Sequence, residues 1–200
     1  MIFLKDKYGF WRQSDPELFK YDEKYKAMQK TTEAMAWLRL GFLFSVVCPN
    51  ECRSFLACDV GSGNGCFARI ASKCFSSVKE YDVSGDSITR NEFEHTEWDM
   101  IFLTDVLEHF NSIDDLFALH FKYVFLSFPE TPAVDDWKDL KEWRHFKPNE
   151  HIYCLNEKGI VQWLKTHGYE VIACGNPEDA IRKPQIGLNR NISTVIAKRQ

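Results

Sequence analysis

Short apolar runs separated by amphipathic stretches make up most of the chain. Six of the runs have the length and apolar character of buried strands. They span residues 55–60, 78–83, 100–104, 123–127, 170–174 and 192–198. Helical spacing of apolar residues predicts helices between them, at residues 66–75, 113–120 and 156–167. Strands that alternate with helices predict an α/β fold, in which a mostly parallel sheet carries helices on both faces.

The first fifty residues have a different pattern, which is helical rather than alternating. Helical spacing runs from Asp15-Pro16 to Val47, with a polar break at 29–32 and a stop at Pro49-Asn50. The second half of this stretch is strongly apolar, so we expect it to pack on the core. We therefore predict an N-terminal helical segment, residues 1–50, on a domain formed by residues 51–200, together one structural domain.

Composition narrows the classes of partner. A chain of 200 residues that is 44% apolar suits one α/β domain. Charged residues nearly balance, with a net charge of -4, so neither nucleic acid nor an anionic membrane is an expected partner. Seven cysteines include no Cys-x-x-Cys pair, and no apolar run approaches the ~20 residues of a membrane span. We expect reduced thiols and a cytoplasmic location.

A glycine-rich segment, Asp59-Val60-Gly61-Ser62-Gly63-Asn64-Gly65, lies where the first core strand passes into a helix. Glycines at such a turn let the backbone bend sharply and approach a ligand closely. The third glycine comes one residue too early for a dinucleotide-binding loop, and Cys66 takes the sixth position. Asp59 would repel a phosphate and suit a cation. Both features favour S-adenosylmethionine, which carries an ammonium and a sulfonium, over NAD.

A second acidic residue follows the next strand. Asp82 ends the run Val78-Lys79-Glu80-Tyr81-Asp82, 23 positions beyond Asp59. An acid at this place is expected to accept hydrogen bonds from ribose hydroxyls. The alternative is an ordinary turn residue, since Asp is also common at strand ends. The matching glycine loop favours the ribose role.

Three segments carry a family resemblance: DVGSGNG, YDVSG and WDMIFLTDVLEHF. Together with SFPETP and HFKPNEHIYCLNEKGIVQWLKTHGYEVI, they resemble the class I S-adenosylmethionine-dependent methyltransferases over about residues 21–198. The DVLEH element is typical of a branch that acts on small molecules and sugars. The resemblance implies a Rossmann-like sheet of seven strands in the order 3-2-1-4-5-7-6, with the last strand antiparallel. It also implies a cofactor across the carboxyl ends of strands one and two, and a small-molecule or sugar acceptor.

The resemblance transfers roles to individual positions. The loop residues would hold the methionine end of S-adenosylmethionine, Asp82 the ribose, and the end of the fourth strand would lie near the sulfonium. Two tyrosines spaced i, i+4 on one predicted helical face could close over the same ligand. The predicted cofactor-binding residues are Asp59, Gly61, Ser62, Gly63, Asn64, Gly65, Asp82, Val83, Thr104, Asp105, Tyr21 and Tyr25.

The chain departs from the family pattern after the second strand. Only fifteen residues separate Asp82 from Trp98, where the family usually has a helix and a third strand. Either this edge of the sheet is reduced or residues 88–93 form a short replacement strand. The adenine partner stays open, with Val83, Ser84 and Glu92 as candidates.

Three histidines are candidates for proton transfer from the acceptor: His109, His145 and His151. Imidazole titrates near neutrality, as a general base requires. The alternative for His109, and for Glu108 beside it, is that they cap the following turn and hold the loop. Arg182 and residues 147–150 are expected to reach the acceptor from two long loops, 130–150 and 176–191, of the kind that often cover substrates.

Other functions stay open as alternatives. Small-RNA 2′-O-methyltransferases similarly present acid-x-x-Glu-His and a later His to a divalent metal, which Asp105, Glu108, His109 and His151 would imitate. Oxygen and imidazole ligands suit magnesium or manganese only partly, so our leading prediction includes no metal. A module that binds S-adenosylmethionine without transferring its methyl group is a further alternative. An NAD-dependent oxidoreductase is disfavoured by the glycine spacing.

Overall fold

The computed structural model describes residues 1–17, 19, 31–83 and 88–200. Its strands, in chain order, are β1 (Phe3–Lys5), β2 (Trp11–Gln13), β3 (Leu56–Val60), β4 (Ser77–Tyr81), β5 (Glu97–Thr104), β6 (His120–Pro129), β7 (Tyr153–Cys154), β8 (Tyr169–Gly175) and β9 (Ile192–Arg199). Its α-helices are α1 (Glu33–Phe44), α2 (Pro49–Cys52), α3 (Cys66–Ala71), α4 (Arg90–His95) and α5 (Glu157–Thr166). Short 3₁₀ helices lie at Leu107–His109, Ile113–Ala118, Trp137–Glu142 and Pro177–Ala180.

The centre of the fold is a six-stranded sheet in the order β4-β3-β5-β6-β9-β8. The pairs β3–β4, β3–β5 and β5–β6 are parallel, whereas β9 is antiparallel to both of its neighbours. This is the predicted strand order without its third strand, so the α/β, Rossmann-like prediction is confirmed. The carboxyl ends of β3, β5 and β6 meet at one edge, where ligands bind in open parallel sheets.

The sheet edge beside β4 is reduced, which is one of the two outcomes that the short spacing between Asp82 and Trp98 left open. Within the described ranges no strand pairs with the outer side of β4, and the N–H of Ile88 donates to the carbonyl of Glu80 at 3.0 Å. The alternative of a replacement strand at 88–93 is wrong. Thr89 instead caps α4 by accepting the N–H of Glu92, and Phe93 stacks on Tyr81 with ring centroids 4.1 Å apart.

Two apolar layers cover the sheet, one on each face. Ile101 and Leu103 of β5 face the layer that contains Trp163 of α5. Met100 and Phe102 face the opposite layer, which contains residues of α1 and α3. Neighbouring residues of a strand point to opposite faces, so a sheet covered on both sides needs the continuous apolar run that β5 shows.

The N-terminal residues differ from the prediction of a helical segment over 1–50. β1 and β2 form a hairpin that pairs with β7 in a second, three-stranded antiparallel sheet. The turn between β1 and β2 is stabilised by its own residues. The carboxylate of Asp6 accepts hydrogen bonds from the N–H groups of Tyr8 and Phe10, and Gly9 has a φ of +84°. α1 is helical as predicted and packs on the sheet. The division at residue 50 stays a prediction, and Leu18 and residues 20–30 lie outside the described ranges.

Two predicted helices are shorter than their apolar pattern suggested. α3 ends at Ala71, where the Ser72 hydroxyl donates to the carbonyl of Ala68. The predicted helix at 113–120 is a 3₁₀ helix of Ile113–Ala118, and His120 already belongs to β6. Among the described residues no helix is both long enough and apolar enough to cross a membrane.

Candidate functional site

The glycine loop follows β3 and is built from strained backbone that only glycine adopts readily. Gly61, Gly63 and Gly65 have φ values of +67°, +57° and +66°. A Cβ on Gly61 would collide with the side chain of Val106, and one on Gly65 would lie 2.9 Å from a carboxylate oxygen of Glu80. The three glycines therefore leave the backbone of the loop without side chains at these positions.

Hydrogen bonds fix the loop to its surroundings. The N–H of Gly61 donates to the carbonyl of Tyr81 at 2.7 Å, which joins the loop to the end of β4. The Asn64 side chain accepts the N–H of Cys66 and donates to the carbonyl of Thr31, just before α1. Asn64 thus links the loop to the N-terminal segment.

A cavity of about 590 Å³ opens at the carboxyl ends of β3, β5 and β6. On one side it is lined by Asp59 and by the loop from Gly61 to Asn64. On the other side it is lined by Thr104, Asp105 and residues of the loops that follow β6 and β8. Ser62, Gly63 and Thr104, three of the predicted cofactor-binding residues, therefore line one shared cavity.

Asp59 is a buried carboxylate at the floor of this cavity. Only 1% of the residue is exposed, and neither oxygen makes a hydrogen bond of good geometry within the described residues. Burial raises the pKa of Asp59 to about 7, assisted by the carboxylates of Glu80 and Asp82, while the guanidinium of Arg39 and the N–H of Ala68 oppose the rise. A positively charged ligand in the cavity would supply the missing partner.

Asp82 lies directly after β4, beside the loop. Its carboxylate accepts the N–H of Gly63 at 3.1 Å, so it helps to shape the turn. Val83 follows it with 79% of its surface exposed, and Glu92 is exposed in the first turn of α4. Ser84, Tyr21 and Tyr25 lie outside the described residues, so their predicted contacts stay predictions.

Asp105 lies at the other side of the cavity, directly after β5, with a φ of +58° that is uncommon for a residue other than glycine. Arg182 binds its carboxylate through two hydrogen bonds of 2.7 and 3.0 Å, and Arg39 adds a third of 3.1 Å. Burial alone would raise the pKa of Asp105, but the two guanidinium groups outweigh it and lower the pKa to about 2. Asp105 is therefore ionised and held in place.

A buried charge network continues from Asp105. Arg39 and Glu178 have fully buried side chains and pair through two hydrogen bonds of 2.8 and 3.0 Å. Arg182 also contacts Glu178, and the Ser127 hydroxyl donates to Glu178 at 2.6 Å. The network ties α1, the strand β6 and the 3₁₀ helix Pro177–Ala180 together behind the cavity. Sequence reasoning missed it, although an arginine on the apolar face of α1 was a signal.

The three candidate histidines all line the cavity. His109 and His151 pack edge to face with ring centroids 4.8 Å apart, and their Nδ1 atoms lie 2.8 Å from the carbonyls of Glu150 and His145. A carbonyl only accepts, so both Nδ1 atoms carry the proton and both Nε2 atoms carry the lone pair.

The tautomer of His145 is the reverse. Its Nε2 lies 2.8 Å from the side-chain oxygen of Asn191, whose amide nitrogen donates to the carbonyl of Arg182. The proton is therefore on Nε2 and the lone pair on Nδ1. Burial lowers the pKa of His145 and of His109, and lowers that of His151 to about 2, so these imidazoles are neutral near pH 7.

Comparison with known proteins decides the family. A family model described as a methyltransferase domain matches residues 55–173, which is more than half of the chain. The chain belongs to the methyltransferase domain family. The predicted class, an enzyme that uses S-adenosylmethionine as methyl donor, is thereby confirmed. Among curated protein sequences none is significantly similar to this chain.

Solved structures support the fold of this methyltransferase. A S-adenosylmethionine-dependent methyltransferase from Archaeoglobus fulgidus is 12% identical, with a TM-score of 0.60 over 90% of this chain and 100% of that one. One from Clostridium acetobutylicum is 13% identical, with a TM-score of 0.56 over 90% and 96%. Magnesium protoporphyrin IX methyltransferase from Synechocystis, with bound S-adenosylhomocysteine, is 15% identical, with a TM-score of 0.57 over 88% and 92%. Identities this low show a shared fold alone.

The cavity of the methyltransferase suits the donor on physical grounds. Asp59 lines the cavity and offers an ammonium a buried carboxylate whose oxygens make no hydrogen bond of good geometry within the described chain. The bare backbone of the glycine loop lets a ligand approach closely. These residues fit a zwitterionic, positively charged nucleoside. A dinucleotide would instead bring two phosphates towards Asp59.

Proposed function

We propose that the protein transfers the methyl group of S-adenosylmethionine to a small-molecule or sugar-type acceptor bound beside His109, His145 and His151. One observation carries this proposal: the same cavity of about 590 Å³ is lined by the glycine loop on one side and by the three histidines on the other. Donor and acceptor would therefore meet inside a single enclosure. Its volume lies in the range typical of small-molecule sites.

S-Adenosylmethionine supplies an electrophilic methyl group on a sulfonium, so the protein mainly has to bind, align and shield the reactants. Asp59 and the loop from Gly61 to Gly65 would bind the methionine end, and Asp82 the ribose. Thr104 and Asp105 would border the reacting end of the donor, since both line the cavity. We also propose that the nucleoside is bordered by Val83, Tyr21 and Tyr25.

An oxygen or nitrogen acceptor must lose a proton during the transfer, and His145 is the proposed general base. Its Nδ1 lone pair is available because Asn191 holds the proton on Nε2. His109 and His151 are neutral as well, but their rings pack edge to face against each other. Arg182, which the sequence assigned to the acceptor, has its guanidinium engaged by Asp105 and Glu178 instead. Arg144, exposed at the cavity, is a better candidate for contact with a polar acceptor.

Turnover is the test that separates transfer from binding alone. Purified protein is incubated with S-adenosylmethionine and a panel of sugars, phenols and hydroxy acids, and S-adenosylhomocysteine is quantified. We expect product with at least one acceptor class, a strong loss of turnover in His145→Gln, and no change in the control His95→Gln on the exposed face of α4. Binding of S-adenosylhomocysteine without turnover on any acceptor would favour the non-catalytic alternative.

A further inference from the structure

Three side chains with metal-ligating atoms meet at the acceptor end of the cavity. Glu108 and His109 lie in the 3₁₀ helix after β5, and His151 lies just before β7. One ligand atom from each residue lies within 4.8 Å of the other two, and the Glu108 Oε1 to His109 Nε2 distance is 4.0 Å. Two separate segments of the chain thus bring a carboxylate and two imidazoles to one point.

The two imidazoles are oriented as metal-binding histidines are. Each uses Nδ1–H to donate to a backbone carbonyl, that of Glu150 for His109 and that of His145 for His151, at 2.8 Å. Histidine ligands in metal sites almost always donate their second ring N–H in this way, because the bond fixes both the tautomer and the direction of the ligating nitrogen. Both Nε2 atoms therefore present lone pairs.

Glu108 supplies an independent observation. The residue is 2% exposed, and neither carboxylate oxygen makes a hydrogen bond of good geometry with any part of the chain that the structure describes. A buried carboxylate without a partner is costly, and metal coordination is one of the few ways to compensate it. The nearby cations are engaged elsewhere, since Lys147 pairs with Glu150 and Arg182 with Asp105 and Glu178.

Asp105 does not complete a four-residue set, because Arg182 already binds both of its oxygens. The sequence-based hypothesis of four ligands is therefore corrected to three. We propose that Glu108, His109 and His151 bind one divalent transition-metal ion, with its remaining coordination positions open to an acceptor that offers an oxygen ligand. One carboxylate and two imidazoles suit manganese, cobalt or zinc better than magnesium or calcium, which prefer oxygen.

The inference rests on the proposed function, because the ion would act on the acceptor. A divalent ion beside an acceptor hydroxyl lowers the pKa of that hydroxyl, so its proton leaves more readily for His145. The acceptor oxygen then forms the bond to the methyl carbon. The carbon–sulfur bond breaks with its electron pair going to sulfur, which leaves S-adenosylhomocysteine and a methyl ether.

Cobalt is the probe for the test, because Co²⁺ bound by nitrogen and oxygen ligands absorbs visible light. Protein dialysed against EDTA is titrated with Co²⁺ and followed by absorbance and by calorimetry. We expect about one ion per chain and a ligand-field spectrum for the wild type, as one site requires. Glu108→Gln and His151→Asn should weaken binding by more than about tenfold, because each removes a ligand. The control His95→Asn should bind as the wild type does.

The same samples are titrated with S-adenosylhomocysteine, which separates the metal site from the donor site. Unchanged S-adenosylhomocysteine affinity in Glu108→Gln shows that the variant is folded. A wild type that binds S-adenosylhomocysteine but no Co²⁺, or that binds Co²⁺ no better than Glu108→Gln, overturns the metal site and leaves the methyltransferase proposal standing. A protein that binds Co²⁺ but no S-adenosylhomocysteine overturns the proposed function instead.

Discussion

Replacing Asp59 by Asn should change how the affinity for S-adenosylhomocysteine depends on pH. The Asp59 carboxylate is buried, lacks a hydrogen-bond partner in the described chain, and has a pKa of about 7. A ligand ammonium prefers the ionised carboxylate. With that pKa, about 3% of the groups are ionised at pH 5.5 and about half at pH 7.0. The affinity of the wild type should therefore rise about fifteenfold across this range, in which an α-amino group stays charged.

Asp59→Asn removes the titrating group and keeps its shape. The variant should bind S-adenosylhomocysteine with little dependence on pH from 5.5 to 7.0. At pH 7.0 it should bind about 10-fold to 100-fold more weakly than the wild type, the equivalent of a hydrogen bond to a charged group. Isothermal titration calorimetry at several pH values measures both effects. Asp135→Asn, which changes an exposed carboxylate, is the matched control.

The same substitution has an opposite effect on stability without ligand. The pKa of Asp59 in the folded protein lies above its ordinary value of 3.8. Protonation of Asp59 therefore stabilises the fold fully below about pH 4, and this stabilisation is lost as the pH rises through about 7. That loss is at most about 4 kcal/mol. Asp59→Asn should therefore melt above the wild type at pH 8 and match it near pH 4. The proposed role of Asp59 would be refuted if the affinity of the wild type for S-adenosylhomocysteine did not change with pH. It would also be refuted if Asp59→Asn kept the pH dependence of the wild type.

Two further predictions concern the support of the site. Gly61→Ala should lower the free energy of unfolding by about 2–4 kcal/mol, because it combines a left-handed φ with a collision against Val106. Gly187 has a φ of +85° but no described atom within 4 Å of an added Cβ. Gly187→Ala should therefore lower the free energy of unfolding by only about 1 kcal/mol. Urea unfolding measures both, and equal losses would contradict the collision. Arg39→Met should cost about 3–5 kcal/mol by leaving Glu178 buried without its main partner, and adding Glu178→Gln should restore part of it. A double variant less stable than Arg39→Met would argue against this pairing.

The elements that the sequence predicted well are those encoded by neighbouring residues. The glycine loop follows from backbone conformations that Gly61, Gly63 and Gly65 permit, and the two-sided burial of β5 follows from its unbroken apolar run. The count of residues between Asp82 and Trp98 left two outcomes open, a reduced sheet edge or a short replacement strand, and only the structure decided between them. All three histidines line one cavity, and their catalytic role stays a prediction.

The features that the sequence did not reveal depend on contacts between distant residues. Arg39 and Glu178 are 139 positions apart, and the hairpin of β1 and β2 gains its third strand from β7. Each contact forms only because the whole sheet brings its two partners together. No pattern of neighbouring residues in the sequence therefore predicts it. The same holds for Asp105, which the sequence placed near the sulfonium but whose partners, Arg39 and Arg182, come from opposite ends of the chain.

A crystal structure of the protein with S-adenosylhomocysteine tests the central claim most directly. We predict electron density for one molecule across the carboxyl ends of β3 and β5, its amino group at Asp59 and its ribose hydroxyls at Asp82. Its sulfur should face the part of the cavity lined by His145. S-Adenosylhomocysteine bound away from the glycine loop, or crystals that show none despite saturating ligand, would contradict the assignment of this site.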